Sequence, residues 1–305
     1  MKLKLKNIHK SFSGVKVLED VDLEARSGEV MGLVGINGAG KSTLMNIIVG
    51  EVSNDSGEIL LGDEELHINS PKEAEAYGIS LIHQEPVDFG YMTVAENIFI
   101  SNLPRGKSKL FLSKKRMEVE SRKHLKRLGS DLSPKTRMTD LSMGQRQLVA
   151  VARALSQESK VILFDEPTSS LSIKEKKNLF ELIEKLKENG AIIIYITHFL
   201  DEVMEICDRV SILRDGKMAS SGDISDYALK DIIREMIGKE VKTYKHCAKS
   251  ECGNIVLEVE NLSSGEKFSS INFSLHTGEV LGIWGLMGAG RTEIIRALLG
   301  LDPVS

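Results

Sequence analysis

Eight consecutive residues, Gly35-Ile36-Asn37-Gly38-Ala39-Gly40-Lys41-Ser42, have the types and spacing needed to hold phosphate. Glycines let backbone N–H groups turn inward around phosphate oxygens, where a side chain would block the approach. A helix opening near Lys41, with Ser42 and Thr43 in its first turn, adds the partial positive charge of its N-terminus. Lys41 is expected to reach the β- and γ-phosphates, and Ser42 to offer its hydroxyl to Mg²⁺. A second group follows far along the chain. Val161-Ile162-Leu163-Phe164 is apolar and ends in Asp165 and Glu166. Carboxylates at the C-terminal end of a parallel strand face the ligand crevice. Asp165 is then placed to hold a Mg²⁺ shell, and Glu166 to orient or deprotonate an attacking water.

These groups need rigid elements to position them. Val30 to Val34 reads as a buried strand and Ser42 to Val49 as the helix after it. Val161–Phe164 and Ile192–Ile196 are continuously apolar, as strands covered on both faces are. Between them Leu179, Leu182, Ile183 and Leu186 recur at helical spacing. Alternating strands and helices predict an α/β architecture around a largely parallel sheet. The segment of about 86–150, richer in Lys and Arg and helical in character from roughly 105 on, reads as an insertion into that core.

The sequence also repeats itself. Ser27-Gly28-Glu29-Val30-Met31-Gly32 returns as Thr277-Gly278-Glu279-Val280-Leu281-Gly282, and the register holds to Gly50 and Gly300. Val256-Leu257-Glu258-Val259 restarts the alternation seen at the N-terminus. We therefore expect a first domain over residues 1–240, a polar linker over 241–254, and an incomplete second copy over 255–305. In that copy Gly285-Leu286-Met287-Gly288-Ala289-Gly290-Arg291-Thr292 repeats the phosphate loop with Arg in place of Lys. A planar fork replaces a compact ammonium there, so weak nucleotide binding or turnover is expected of it.

Composition excludes several classes. Lysine and arginine number 40 against 44 acids, for a net charge of -4, which gives no field for nucleic acid. Three cysteines suit a reducing compartment. Met1 to Lys6 alternates like a strand and has no apolar run of the signal-peptide kind, and Ala191–Ile196 is too short to span a bilayer. The expected location is cytoplasmic, with any membrane role exercised through a partner. His246, Cys247 and Cys252 lack the paired spacing of a structural zinc site and read as linker residues. Phe89, Tyr91 and Met92 fit either a receptor surface for a partner helix or ordinary packing.

With these residues in view the chain resembles ABC ATPases, a P-loop NTPase family. Leu141-Ser142-Met143-Gly144-Gln145 resembles the family signature, although Met143 stands where a glycine is common. Gln84 matches the Q-loop, Ser169-Ser170-Leu171-Ser172 the D-loop, His198 the switch histidine, and Phe12 the aromatic that stacks on adenine. The resemblance implies an ATP- and Mg²⁺-dependent ATPase with a helical subdomain. Gln84 would join Ser42 and Asp165 at the metal, with Glu166, His198 and Gln84 serving catalysis. Two such domains would pair head to tail. Each ATP would lie between one P-loop, with its neighbours Ile36, Asn37 and Ala39, and the Ser142, Gly144 and Gln145 of the other. Ser70-Pro71-Lys72-Glu73-Ala74, Thr93-Val94-Ala95-Glu96-Asn97 and the Arg291 loop are similar to the ATPase subunits of bacterial sugar importers of the ribose, galactose/methyl galactoside and xylose type. That narrower resemblance implies two transmembrane permease subunits, an extracytoplasmic sugar-binding protein, and a place on the cytoplasmic face of the membrane. The alternatives are a soluble tandem ABC protein acting on ribosomes and a remnant that binds ATP without turnover.

Overall fold

Apolar runs become strands here because each is covered on both faces. The computed structural model describes residues 1–84, 87–100, 113–169, 171–239, 253–265, 267–285 and 289–304. The chain forms two units, Met1–Val241 and Lys242–Ser305.

The first unit opens with the hairpin β1 (Lys2–Phe12) and β2 (Val15–Arg26), then β3 (Glu29–Val34) and α1 (Lys41–Ile48). Next come β4 (Ser56–Leu61), β5 (Glu64–Glu65), α2 (Pro71–Ala76) and β6 (Ile79–Ile82). A helical stretch follows with α3 (Val94–Ile98), α4 (Lys114–Arg127) and α5 (Met143–Ser156). The chain returns to the sheet through β7 (Val161–Asp165), α6 (Ile173–Glu188), β8 (Ile192–Ile196), α7 (Leu200–Ile206), β9 (Arg209–Arg214), β10 (Lys217–Asp223) and α8 (Leu229–Ile237).

Two sheets result. One is antiparallel, in the order β2-β1-β4-β5, and the other runs β10-β9-β3-β8-β7-β6. In the second sheet every pair from β9 to β6 is parallel, and only β10 turns back against β9. Successive side chains of a strand point to opposite faces, and the two cores divide accordingly. Val30 and Val34 of β3, with Ile193 and Tyr195 of β8, join the core shared with α5 and α6. Met31 and Leu33, with Ile192, Ile194 and Ile196, join the core shared with α1 and the antiparallel sheet. Burying each such side chain contributes about 1.5–3 kcal/mol, so β3, β7 and β8 form a stiff platform. Their C-terminal ends carry the site.

The stretch from α3 to α5 is held down by polar ties as well as packing. Arg153 of α5 donates to the carbonyls of Asn97 (2.9 Å) and Val87 (3.1 Å). Asn97 in turn accepts from the Phe89 N–H at 2.9 Å and donates to the Phe89 carbonyl at 3.2 Å. The loop is thus anchored from below, while Phe89, Tyr91 and Met92 stay on the surface, Tyr91 at 90% exposure.

The second unit contains β11 (Ile255–Ser264) paired antiparallel with β12 (Phe268–His276), and α9 (Arg291–Leu298). Its buried apolar core is Phe268, Ile294 and Ala297. The repeat's counterpart of β3 forms no strand among the described residues. Val30 is 0% exposed, yet Val280 is 91% and Trp284 89% exposed. The cause is topological: β3 is held between β8 and β9, and no counterpart of either stands beside residues 280–284 among the described residues. His246, Cys247 and Cys252 fall outside the described residues, as do Ser170, Leu286, Met287 and Gly288.

Candidate functional site

The phosphate loop leaves the C-terminal end of β3 and enters α1 through backbone that only glycine adopts easily. Gly38 and Gly40 lie at φ +81° and +107°, in the left-handed region that L side chains avoid. Gly35 is fixed by crowding: a Cβ there would stand 2.3 Å from the Leu213 carbonyl oxygen. At Gly38, by contrast, a Cβ would meet no protein atom within 4 Å, so the concave side of the loop is open. Lys41 is buried and folds across the loop, donating to the carbonyls of Gly35 (2.7 Å) and Ile36 (3.1 Å). Burial lowers its basicity, and the nearby Glu166 and Asp165 oppose that shift.

A cleft of about 360 Å³ is lined by Val17, Asn37, Gly38, Gly40, Lys41, Ser42, Thr43, Asp165, Glu166 and Ile196. The structure therefore brings the phosphate loop and the two carboxylates around one space. Burial, reinforced by Glu166, pushes the Asp165 carboxyl above the ordinary range, against the pull of His83 and Lys41. Glu166 sits at φ +45°, an uncommon conformation for a side-chain-bearing residue. Its N–H donates to the Ile196 carbonyl at 2.8 Å, which ties the turn after β7 to the end of β8. From the other side His198 places Nδ1 3.0 Å from Glu166 Oε2.

The remaining expected residues stand elsewhere. Gln84 donates its amide to Ser169 Oγ at 3.0 Å, joining the segment after β6 to the segment after β7, and does not line the cleft. Phe12 ends β1 at 45% exposure, with Lys10 Nζ 5.3 Å from its ring centre, and does not line it either. Val17 does, a contact that its place in a polar-apolar strand gave no reason to expect.

Ser142 caps α5. Its Oγ accepts from the Gln145 N–H (3.3 Å), and Gln145 Oε1 accepts from the Ser142 N–H (3.0 Å), the reciprocal box that S-x-x-Q spells. Glu175 of α6 adds what spacing did not reveal. Its Oε1 accepts from Ser142 Oγ (2.8 Å) and the Gly144 N–H (3.1 Å), while Oε2 accepts from the Ser172 N–H (3.0 Å) and hydroxyl (2.8 Å). The Ser172 N–H is the first of the donors holding this carboxyl below its usual range. An anion already lies against the N-terminus of α5, where backbone N–H groups lack helical partners.

This fold and loop define a class, the ATP-binding cassette. Residues 18–169 match the profile described as ABC transporter, and the first unit belongs to that family. Over its full length the chain is 43% identical to a ribose import ATP-binding protein RbsA of Bacillus licheniformis, covering 62% of that protein. It is also 43% identical over 303 residues to a putative ribose/galactose/methyl galactoside import ATP-binding protein of Agrobacterium fabrum, with 99% of this chain and 60% of that one aligned. The chain thus spans about three fifths of the length of these curated relatives. Their sugar-import names do not favour the ribosome-acting alternative. Among solved structures, a nucleotide-free ATP-binding cassette of an ABC transporter superposes with a TM-score of 0.67 at 28% identity, over 78% of this chain and 96% of that one. A dimeric post-hydrolysis cassette bound to ADP and Pi superposes with a TM-score of 0.61 at 26% identity, over 73% and 98%. Among the described residues no helix is long and apolar enough to cross a membrane.

Proposed function

We propose that the chain binds and hydrolyses ATP as the ATPase subunit of a sugar importer. The observation that carries this reading is the cleft where Lys41, Ser42, Asp165 and Glu166 converge, with His198 Nδ1 3.0 Å from Glu166. The open, glycine-lined loop fits a polyphosphate, and Lys41 would exchange its two carbonyl partners for phosphate oxygens. Glu166 would accept the proton of the attacking water, and His198 would orient it and face the γ-phosphate. Gln84, through Ser169, would report on the site toward the surface.

Among the described residues no group of three or more His, Cys, Asp or Glu could hold a metal. The donors that the cleft does supply, the Ser42 hydroxyl and Asp165, fit Mg²⁺, which keeps several waters and takes most ligands from substrate phosphates. When bound, that ion would neutralise charge on the phosphates.

The N-terminus of α5, with Ser142, Gly144 and Gln145, would meet the γ-phosphate held by a second cassette, so ATP would join two cassettes and hydrolysis release them. The exposed Phe89–Met92 loop, fixed from below by Asn97 and Arg153, is suited to receive a permease helix. Two transmembrane permease subunits and an extracytoplasmic sugar-binding protein would complete the importer, with this chain on the cytoplasmic face of the membrane. The Arg291 loop, which opens α9 after Gly290 at φ +86°, would bind nucleotide weakly. Phosphate release by the wild type and by Glu166→Gln tests the reading. We expect the variant to lose about 10²- to 10⁴-fold in rate, the contribution of a general base, while still binding ATP. Wild-type turnover no higher than the variant's would overturn it and favour a non-hydrolysing remnant.

A further inference from the structure

Behind the cleft lies a buried carboxylate for which the chemistry above has no use. Glu202, in the first turn of α7, is 2% exposed. Its Oε2 accepts from Tyr195 Oη (2.8 Å), Thr168 Oγ1 (2.9 Å) and Thr197 Oγ1 (3.2 Å). Its Oε1 lies 3.1 Å from Lys176 Nζ of α6. A carboxylate only accepts, so all three hydroxyl protons must turn toward it. Its burial in turn fixes where those donors stand, because an unpaired charge there would be costly.

Two of the donors adjoin the reacting groups. Thr168 follows Glu166 by two residues, and Thr197 immediately precedes His198. The Thr197 hydroxyl oxygen also accepts from the Phe199 N–H at 3.0 Å, so the backbone on both sides of His198 is tied to one atom. Glu166 and His198, which these two turns carry, approach to 3.0 Å. A packing role alone would not require donors from α6, β8 and both turns to converge on a charged group.

We infer that Glu202 is a positioning residue: through Thr168 and Thr197 it holds the Glu166 turn and His198 in the register that sets their contact. The inference rests on the roles proposed for Glu166 and His198. It is tested in the full chain with the near-isosteric Glu202→Gln, measuring phosphate release and the affinity for a fluorescent ATP analogue. We expect affinity within about two-fold of wild type and kcat lowered about ten-fold. Made in a His198→Ala background, the same change should cost little more, because residues acting as one unit are not additive. Thr197→Val should reproduce the loss and Thr197→Ser restore turnover, with Glu202 left in place. A Glu202→Gln chain with wild-type kcat, or losses that add to those of His198→Ala, overturns the inference. The imidazole cross-peaks of His198 in the nucleotide-free chain need no turnover. They should move in Glu202→Gln, and unmoved peaks also overturn it. Failure of the ATPase reading looks different: wild type and Glu166→Gln then release phosphate equally slowly.

Discussion

At Gly35 the constraint is one of distance. The loop passes so close to the Leu213 carbonyl that a methyl group would overlap it. Overpacking of this kind costs about 1–3 kcal/mol. Gly35→Ala should therefore lower the unfolding free energy obtained from urea denaturation by that amount, with nucleotide affinity falling as the loop shifts. Gly38→Ala should act on binding more than on folding, since the space beside it is free of protein atoms; its penalty comes from φ +81° and from intrusion on the ligand. Comparing midpoints and ATP affinities of the two variants checks this division. The phosphate loop and the Asp165–Glu166 pair were legible because spelling and context agreed, a buried strand before each and a helix start after the loop. Glu202 was not. In Thr197-His198-Phe199-Leu200-Asp201-Glu202 it reads as an ordinary acid in a helix's first turn. Only the fold brings Thr168 and Tyr195 to it.

Helices α4 and α5 show what charge does at the scale of an element. His124 of α4 is packed edge-on to Phe99, with ring centres 6.0 Å apart. Burial first, then Arg127, depresses its pKa below the ordinary value of 6.5. The unfolded chain therefore binds the proton more readily than the folded one, so stability is present above that value and is lost as pH falls from there through the lower folded pKa. We expect the thermal midpoint of the first unit to drop over that window, and His124→Gln to flatten the drop. At α5 the Glu175 carboxylate occupies the Ser142 hydroxyl and the Gly144 N–H, two of the groups proposed to receive a second cassette's γ-phosphate. Glu175→Gln keeps an acceptor for the Ser172 cap but removes the charge. The ATP concentration at which Glu166→Gln chains associate, read by light scattering, should then fall several-fold; an unchanged midpoint would mean the carboxylate does not compete. The cap of α5 was legible in S-x-x-Q. Its occupant was not, because Ser172-x-x-Glu175 already accounts for Glu175 as a cap of its own helix.

Across the whole molecule the two units are unequally built. The first has strands buried on both faces between two large apolar clusters, whereas the second has, among the described residues, one small cluster of Phe268, Ile294 and Ala297. Local opening is easiest where apolar contacts are few. In hydrogen exchange the amides of β11 and β12 should exchange well before those of β7 and β8, and equal protection would contradict the difference in packing. The repeat was legible as sequence, and the structure repeats the hairpin and the helix after the loop, but not the strand between them. The β3-like run at 280–284 has the residues of a buried strand and, among the described residues, lacks the neighbours that make one. That mismatch has an optical consequence. Trp284 is the single tryptophan of the chain and is almost wholly exposed, so its emission should be red-shifted and readily quenched by acrylamide. Any strand that comes to lie against residues 280–284 will move that emission to the blue, giving the protein a built-in fluorophore for the completion of its second sheet.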